Sequence, residues 1–434
     1  MKKRKLLVLL LGGLLSLSAC SLFNEDDLEF ENKYNPPVES TEPDPNAVVV
    51  NGVVGKENEN IPNTLIFKSI CYATNNKIAN TYKEGGVNHT EYNVNGGQDY
   101  NGDEDNNYDL YVPEAAPKND KHLVILFIHG GAWISGYKTD VNPYVHEFAN
   151  RGYITATIKY TLLSEEMNDS SLSIFRDLDE IDACIGSIKS SLASLGYDTT
   201  KTQLAIGGAS SGAHLTMLYS YSRGANSPLP IKFLIDAVGP VDIKPESWKR
   251  FKNASDAVVE GGITKDAIAT QEALYNTDEL TIASTTGENK KWNEYETMRI
   301  ANGMCGLPYT LEQIESTADD NKEHVAHPNE ASNSMLKVGG GEDLLSVTHY
   351  ITSANRIPII CAYGGKDAIV GINQYARLQT ALDNAGYTSS NHKFIYFKNA
   401  NHTDLTSNYD EYNSATCYSD LIAQIDAWCK AETI

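Results

Sequence analysis

The sequence predicts an α/β fold: a mostly parallel central sheet with helices on both faces, interrupted by a helical cap insertion. Three observations predict it. From about residue 107, apolar strand-like runs alternate with amphipathic stretches, as a sheet covered on both faces requires. One of those stretches carries seven apolar residues at alternating spacings of four and three. The alternation then breaks once, over about 243–347, for far longer than a loop needs.

The strand runs are Tyr108–Val112, Leu123–Ile128, Ile154–Tyr160, Gln203–Ile206, Lys232–Val238, Ile357–Ala362 and Lys393–Phe397. Each is a short apolar segment rich in β-branched or aromatic residues. The helical stripe is Ile174, Leu178, Ile181, Ile185, Ile188, Leu192 and Leu195, which fall on one face of a single helix. A second helix, Cys417 to Lys430, closes the chain with Leu421, Ile425 and Trp428 facing inward. The segment 243–347 is polar, of mixed helical patterning, and contains Gly339-Gly340-Gly341. It reads as a cap that covers a pocket at the carboxyl ends of the strands, where such sheets bind ligands.

The N-terminus is of a different character. Lys2, Lys3, Arg4 and Lys5 precede a short apolar run ending in Leu17-Ser18-Ala19-Cys20. The run is too short for a stable anchor and reads as an export signal over 1–19. Its last four residues resemble the lipobox of bacterial lipoproteins, in which the Cys20 thiol is acylated. The expected location is therefore a lipid anchor on a bacterial envelope membrane. Residues 21–60 carry ten acids, two lysines and four prolines. With residue 20 they read as an acidic tether, since such a segment buries too little to offset its ordering entropy. Within it, Val48-Val49-Val50-Asn51-Gly52-Val53-Val54 suits a small hairpin about Asn-Gly. The domain proper is expected over 61–434.

The 434 residues hold 57 acids against 35 bases, a net charge of −22, which argues against nucleic acid as a partner. Six cysteines follow Cys20: Cys71, Cys184, Cys305, Cys361, Cys417 and Cys429. They show no framework spacing, so buried free thiols are expected.

The chemistry concentrates in four short motifs. The strand ending at Ile206 runs into Gly208-Ala209-Ser210-Ser211-Gly212 and then a helix. A Gly-x-Ser-x-Gly between strand and helix projects its serine hydroxyl clear of the backbone, and the helix N-terminus favours negative charge there. The frame selects Ser210 as the nucleophile. Upstream, Leu123–Ile128 ends in His129-Gly130-Gly131-Ala132-Trp133, a glycine turn that aims backbone N–H groups at an oxyanion. Gly131, Ala132 and Ser211 are the expected donors. Downstream, Asp367 follows the strand ending at Ala362, and His402 follows the strand ending at Phe397. Placed there, Asp367 orients an imidazole and His402 takes the proton of Ser210. Asp242 and Asp404 are rival acids, yet neither leaves the end of the penultimate strand.

On these motifs, residues from about 107 to the end resemble the α/β-hydrolase superfamily. The likeness is to its HGGxW-bearing esterases: bacterial feruloyl and acetylxylan esterase-like enzymes, and kynurenine formamidases. Tyr108-Asp109-Leu110-Tyr111-Val112-Pro113 looks like theirs too. The resemblance implies an α/β-hydrolase fold with an oxyanion loop at His129–Trp133 and the triad Ser210, Asp367 and His402. Trp133 is expected against the substrate. It also implies cleavage of carboxylic esters through an acyl-enzyme, on small-molecule or polysaccharide-linked substrates, with no cofactor. Two other readings stay open: an amidase or formamidase with the same triad, and a non-catalytic surface binding protein on this scaffold. The long insertion and the lipobox tether depart from the plain pattern and leave substrate choice open.

Other signals are weak. Glu323, His324 and His327 lack a metal-site spacing and read as solvated surface. The run Asp99–Asp105 lacks the sixth-position Gly and twelfth-position Glu of a calcium loop, and reads as an acidic turn. His214 reads as a packed helix residue. There is no phosphate-binding loop and no dinucleotide fingerprint.

Overall fold

The computed structural model describes residues 47–58, 60–74, 79–84, 87–92, 105–163, 173–243, 344–367, 369–406 and 414–432, with short stretches between 258 and 304. At its centre is a nine-stranded sheet. Its strands are β1 (Lys56–Asn58), β2 (Ile61–Thr74), β3 (Asp105–Pro113), β4 (His122–Ile128), β5 (Ile154–Ile158), β6 (Thr202–Ala209), β7 (Ile231–Ala237), β8 (Ile359–Gly364) and β9 (His392–Phe397). They lie in the order β9-β8-β7-β6-β4-β5-β3-β2-β1. Strands β4 to β9 pair in parallel. The flank β1–β3 is antiparallel. This is the α/β-hydrolase fold.

All seven residues of β4 and all five of β5 are buried. Successive side chains of a strand point to opposite faces, so both faces are covered here. The cover comes from α1 (Asn142–Asn150), α2 (Ile174–Ser194), α3 (Ser211–Arg223), α4 (Ile372–Asn384), the short α5 (Thr403–Thr406) and α6 (Ser414–Lys430). Along α2 the stripe Ile174, Leu178, Ile181, Ile185, Ile188 and Leu192 is buried as its spacing predicts. Each such side chain contributes roughly 1.5–3 kcal/mol. Along α6, Leu421 and Ile425 are buried, and Trp428 packs edge-on against Phe233 at 5.6 Å between ring centroids.

Several strand ends differ from the expected ones by one to three residues, and two of the shifts have a direct physical reason. β6 runs on through Gly207 and Gly208 to Ala209, because these pair with Ile235, Asp236 and Ala237 of β7. β8 begins at Ile359, since Pro358 has no N–H to give the ladder. The Asn-Gly hairpin forms: Val49–Val50 pairs with Val53–Val54, with Asn51 at φ 48° and Gly52 at φ 83°. Both central residues are left-handed, as such a turn requires.

Within the insertion, two antiparallel hairpins are described, Val258–Val259 with Gly262–Ile263 and Leu280–Ala283 with Asn289–Trp292. The helical cap otherwise lies outside the described residues. So do the signal segment with Cys20, the tether up to residue 46, residues 99–104, Cys305, His324 and His327. Of the described cysteines, Cys184, Cys361, Cys417 and Cys429 are buried and Cys71 is exposed, all as free thiols. Among the described residues, no helix is long and apolar enough to cross a membrane.

Candidate active site

Four loops at the carboxyl edge of the sheet carry the expected residues. The first is the turn from β6 into α3. Ser210 sits there at φ 54°, ψ −124°, a backbone conformation that costs about 1–3 kcal/mol and persists only when its surroundings enforce it. They do so through main-chain bonds. The Ser210 N–H donates to Ala237 O at 2.9 Å, and its carbonyl accepts from the N–H groups of Ala213 and His214. The flanking glycines are steric necessities. A Cβ on Gly208 would lie 2.4 Å from the carbonyl carbon of Gly212, and one on Gly212 would lie 2.2 Å from Ile128 O.

The second loop follows β4. A Cβ on Gly130 would meet Ala209 O at 2.8 Å and the Ser210 Cβ at 3.1 Å, so this loop runs directly against the nucleophile turn. Gly131, Ala132 and Trp133 have φ of 119°, 53° and 65°. The Gly131 carbonyl accepts from the N–H groups of Ile134 and Ser135 and from the Ser135 hydroxyl at 2.8 Å. Among the described residues, the Gly131 and Ala132 N–H groups donate to nothing. Two vacant amide donors beside a strained serine are what an oxyanion hole needs. His129 holds the base of the loop: it is buried, donates from Nδ1 to Gly130 O at 2.8 Å, and stacks on Tyr160 at 4.3 Å. Burial lowers its pKa. Trp133, expected against substrate, is only 5% exposed. Its indole N–H goes to His214 and its carbonyl accepts the Leu163 N–H, so what the structure shows of it is support for the loop.

The third element is a pair of loops after β8 and β9. They are zipped together by Gly365 N–H to Phe397 O and Lys366 N–H to Ala400 O, both at 2.9 Å. A Cβ on Gly364 would lie 2.4 Å from Ala400 O, and one on Gly365 would lie 2.4 Å from Lys398 O, so the Gly-Gly pair permits the approach. It places Asp367 Oδ2 2.7 Å from His402 Nδ1. Asp367 Oδ1 accepts the N–H groups of Ile369 and Val370, both at 2.8 Å, a clamp that the motif alone does not reveal. His402 Nε2 is buried and, among the described residues, has no hydrogen-bond partner. The dyad is formed, and no hydrogen bond yet joins it to the Ser210 hydroxyl.

The rival acids are occupied elsewhere. Asp242 accepts from the Ser346 hydroxyl and pairs with Arg377 at 3.4 Å. Asp404 accepts the Asn401 N–H at 2.8 Å and so closes the turn that carries His402. Among the described residues, no group of three or more His, Cys, Asp or Glu could hold a metal ion.

Fold and site define an α/β-hydrolase scaffold whose carboxyl edge presents a serine, a histidine–carboxylate dyad and, among the described residues, open amide donors. The BD-FAE family model matches residues 108–281, which include the oxyanion turn and the nucleophile turn. No curated protein matches the chain. Among solved structures it is similar to esterase B from Lactobacillus rhamnosis, with 12% identity, 85% of this chain and 88% of that one covered, and a TM-score of 0.49. It is also similar to esterase 2 from Thermogutta terrifontis, with 14% identity, 85% and 92% coverage, and a TM-score of 0.46. A third likeness is to a truncated carbohydrate esterase from gut microbiota, with 15% identity, 82% and 98% coverage, and a TM-score of 0.46.

Proposed function

We propose that this protein is a serine hydrolase that cleaves carboxylic esters through an acyl-enzyme intermediate. One observation carries the reading: a buried His402–Asp367 pair with a vacant Nε2 on the same sheet edge as a serine held at φ 54°. The Ser210 hydroxyl turns onto Nε2 as substrate arrives and attacks the acyl carbon while His402 takes its proton. Asp367, fixed by two N–H groups on its other oxygen, keeps Nδ1 protonated and steadies the imidazolium. The carbonyl oxygen, now anionic, accepts from the N–H groups of Gly131, Ala132 and Ser211. His402 then protonates the departing alcohol, and water releases the acid by the same steps in reverse.

Incubation with p-nitrophenyl acetate tests this, with Ser210→Ala as the control. The variant is expected to lose activity by about 10⁴-fold or more and to lose labelling by a fluorophosphonate probe. Equal rates for the two proteins would refute the proposal.

The substrate class proposed is an acetyl or feruloyl ester of polysaccharide, or a small ester, supported by the resemblance of the His129–Trp133 and Gly208–Gly212 motifs to HGGxW-bearing esterases. A panel of acetyl, long-chain and feruloyl esters checks it; faster turnover of matched formamides would move the reading to a formamidase. We also propose export and acylation at Cys20, supported by the basic, apolar and Leu-Ser-Ala-Cys sequence of residues 1–20. Expression with an alkyne fatty acid should label the wild type and spare Cys20→Ala. Labelling of both would remove the anchor from the proposal.

A further inference from the structure

One imidazole ties together parts of the site that are far apart in sequence. His214 lies on the first turn of α3 and is 0% exposed. Its Nδ1 is 3.3 Å from the indole Nε1 of Trp133, and its Nε2 is 2.8 Å from Leu345 O. The two rings meet edge-on at 5.3 Å. An indole nitrogen only donates and a carbonyl only accepts. Nδ1 is therefore bare and Nε2 carries the proton; a single neutral tautomer satisfies both partners. Burial moves the pKa of His214 down to about 4, which keeps the ring neutral at neutral pH.

The three partners serve different parts of the site. Trp133 ends the strained run Gly131-Ala132-Trp133. The His214 N–H donates to the Ser210 carbonyl at 3.1 Å. Leu345 lies where the long insertion returns to the fold, just before Val347, whose N–H donates to Val241 O at 2.8 Å. Left-handed residues in succession hold their shape only against a fixed support, and the described polar supports of Trp133 are Leu163 and His214.

We propose that His214 is a positioning residue: as acceptor for Trp133 it sets the oxyanion turn against Ser210, and as donor to Leu345 it locks the return of the insertion onto the same helix. Its kinetic consequence rests on the hydrolytic reading above; the clamp itself rests on the fold alone.

Two measurements on the full chain test it. The first is histidine ¹⁵N NMR of the wild type at pH 7, with His214 identified by the signal that His214→Phe removes. The Nε2–H tautomer is expected, and an Nδ1–H tautomer or an imidazolium would overturn the proposal. The second is kinetic. Asparagine places its amide oxygen where Nδ1 stood and keeps the acceptor for Trp133; glutamine places its NH₂ near Nε2 and keeps the donor to Leu345. With p-nitrophenyl acetate, His214→Gln and His214→Phe should lower kcat about tenfold to a hundredfold with KM within about twofold, the effect of a small displacement of a reacting geometry. His214→Asn should recover most of that loss. Equal kcat in all three, with unchanged circular dichroism, would overturn the positioning role. A wild type that shows the Nε2–H tautomer yet neither hydrolyses esters nor takes the fluorophosphonate would sink the hydrolytic reading and leave the clamp standing.

Discussion

The acid loop after β8 and the oxyanion turn after β4 leave the same edge of the sheet with opposite hydrogen-bond bookkeeping. In the acid loop both Asp367 oxygens are engaged, by Ile369 and Val370 on one side and His402 on the other. In the oxyanion turn the Gly131 carbonyl is engaged by Ile134 and Ser135, while the N–H groups of Gly131 and Ala132 are left open. An acid that must orient a base permanently needs every contact in place beforehand. On the proposed hydrolytic reading, a turn that meets negative charge only during reaction must keep its donors vacant, and it is held through its other groups: Gly131 O by Ile134 and Ser135, and the Trp133 indole by His214. Both loops are held by hydrogen bonds, and in the oxyanion turn a steric limit at Gly131 adds to them.

Asp367→Asn tests the bonded side most severely. The amide gives His402 Nδ1 a partner of the wrong polarity and favours the wrong tautomer, so kcat on p-nitrophenyl acetate should fall by about 10⁴-fold with the fold intact. A loss under tenfold would mean that the clamp is not what orients His402.

Gly131→Ala tests the steric side. Its Cβ would fall 2.0 Å from Ser135 O at a φ of 119°. The turn must shift, costing about 1–3 kcal/mol in a denaturation experiment and about 10²–10³-fold in kcat. Wild-type kcat would place the oxyanion donors elsewhere.

A smaller effect should come from the bend after β7, which lies between these two loops. Tyr363 Oη is 2.6 Å from Gly239 O and 2.8 Å from Asp236 Oδ2. One hydroxyl proton cannot serve both acceptors fully, whereas a protonated Asp236 can donate to Tyr363. Burial pushes Asp236 up to about 7, against hydrogen bonds from Tyr363, the Gly239 N–H and Cys361 that pull it down. The folded chain thus holds a proton that an unfolded aspartate, with its pKa near 4, has released. That stabilisation is complete below about pH 4 and is lost as pH rises through about 7. Asp236→Asn should therefore flatten the fall in Tm between pH 5 and 8. A slope equal to wild type would assign the titration to another group.

The least should come from Asp242→Asn. Its carboxylate meets Ser346 and the partly exposed Arg377 and touches no residue of the proposed triad in the described contacts, so kcat should stay within about twofold. A large loss would make it a member of the site and blur the contrast between the two loops.

The parallel half of this fold was legible because strands buried on both faces are continuous apolar runs. Of the antiparallel flank only β3 was, as Tyr108–Val112; β1 and β2 were not. β2 spans Ile61–Thr74, but its register slips between Phe67 and Ile70 and again between Cys71 and Ala73. Each slip exchanges the inward and outward sides, so the alternation that marks a strand never accumulates. Short α1 was hidden by its nine-residue length, too few turns for a helical period to stand out. In the site, Ser210, Asp367 and His402 each follow a recognisable strand, which is why local motifs located them. The clamp of Asp367 by Ile369 and Val370 depends on loop geometry that no residue type encodes. The link from Trp133 to His214 spans 81 positions, beyond any local pattern.

The two outermost strands of the sheet have a further consequence. β1 is only three residues long, Lys56-Glu57-Asn58, and all three are exposed. At the opposite margin β9 carries the exposed Lys393. Brevity and charge at such margins discourage a neighbouring chain from docking its own strand there and extending the ladder. Copies crowded together should therefore resist stacking edge to edge into fibres.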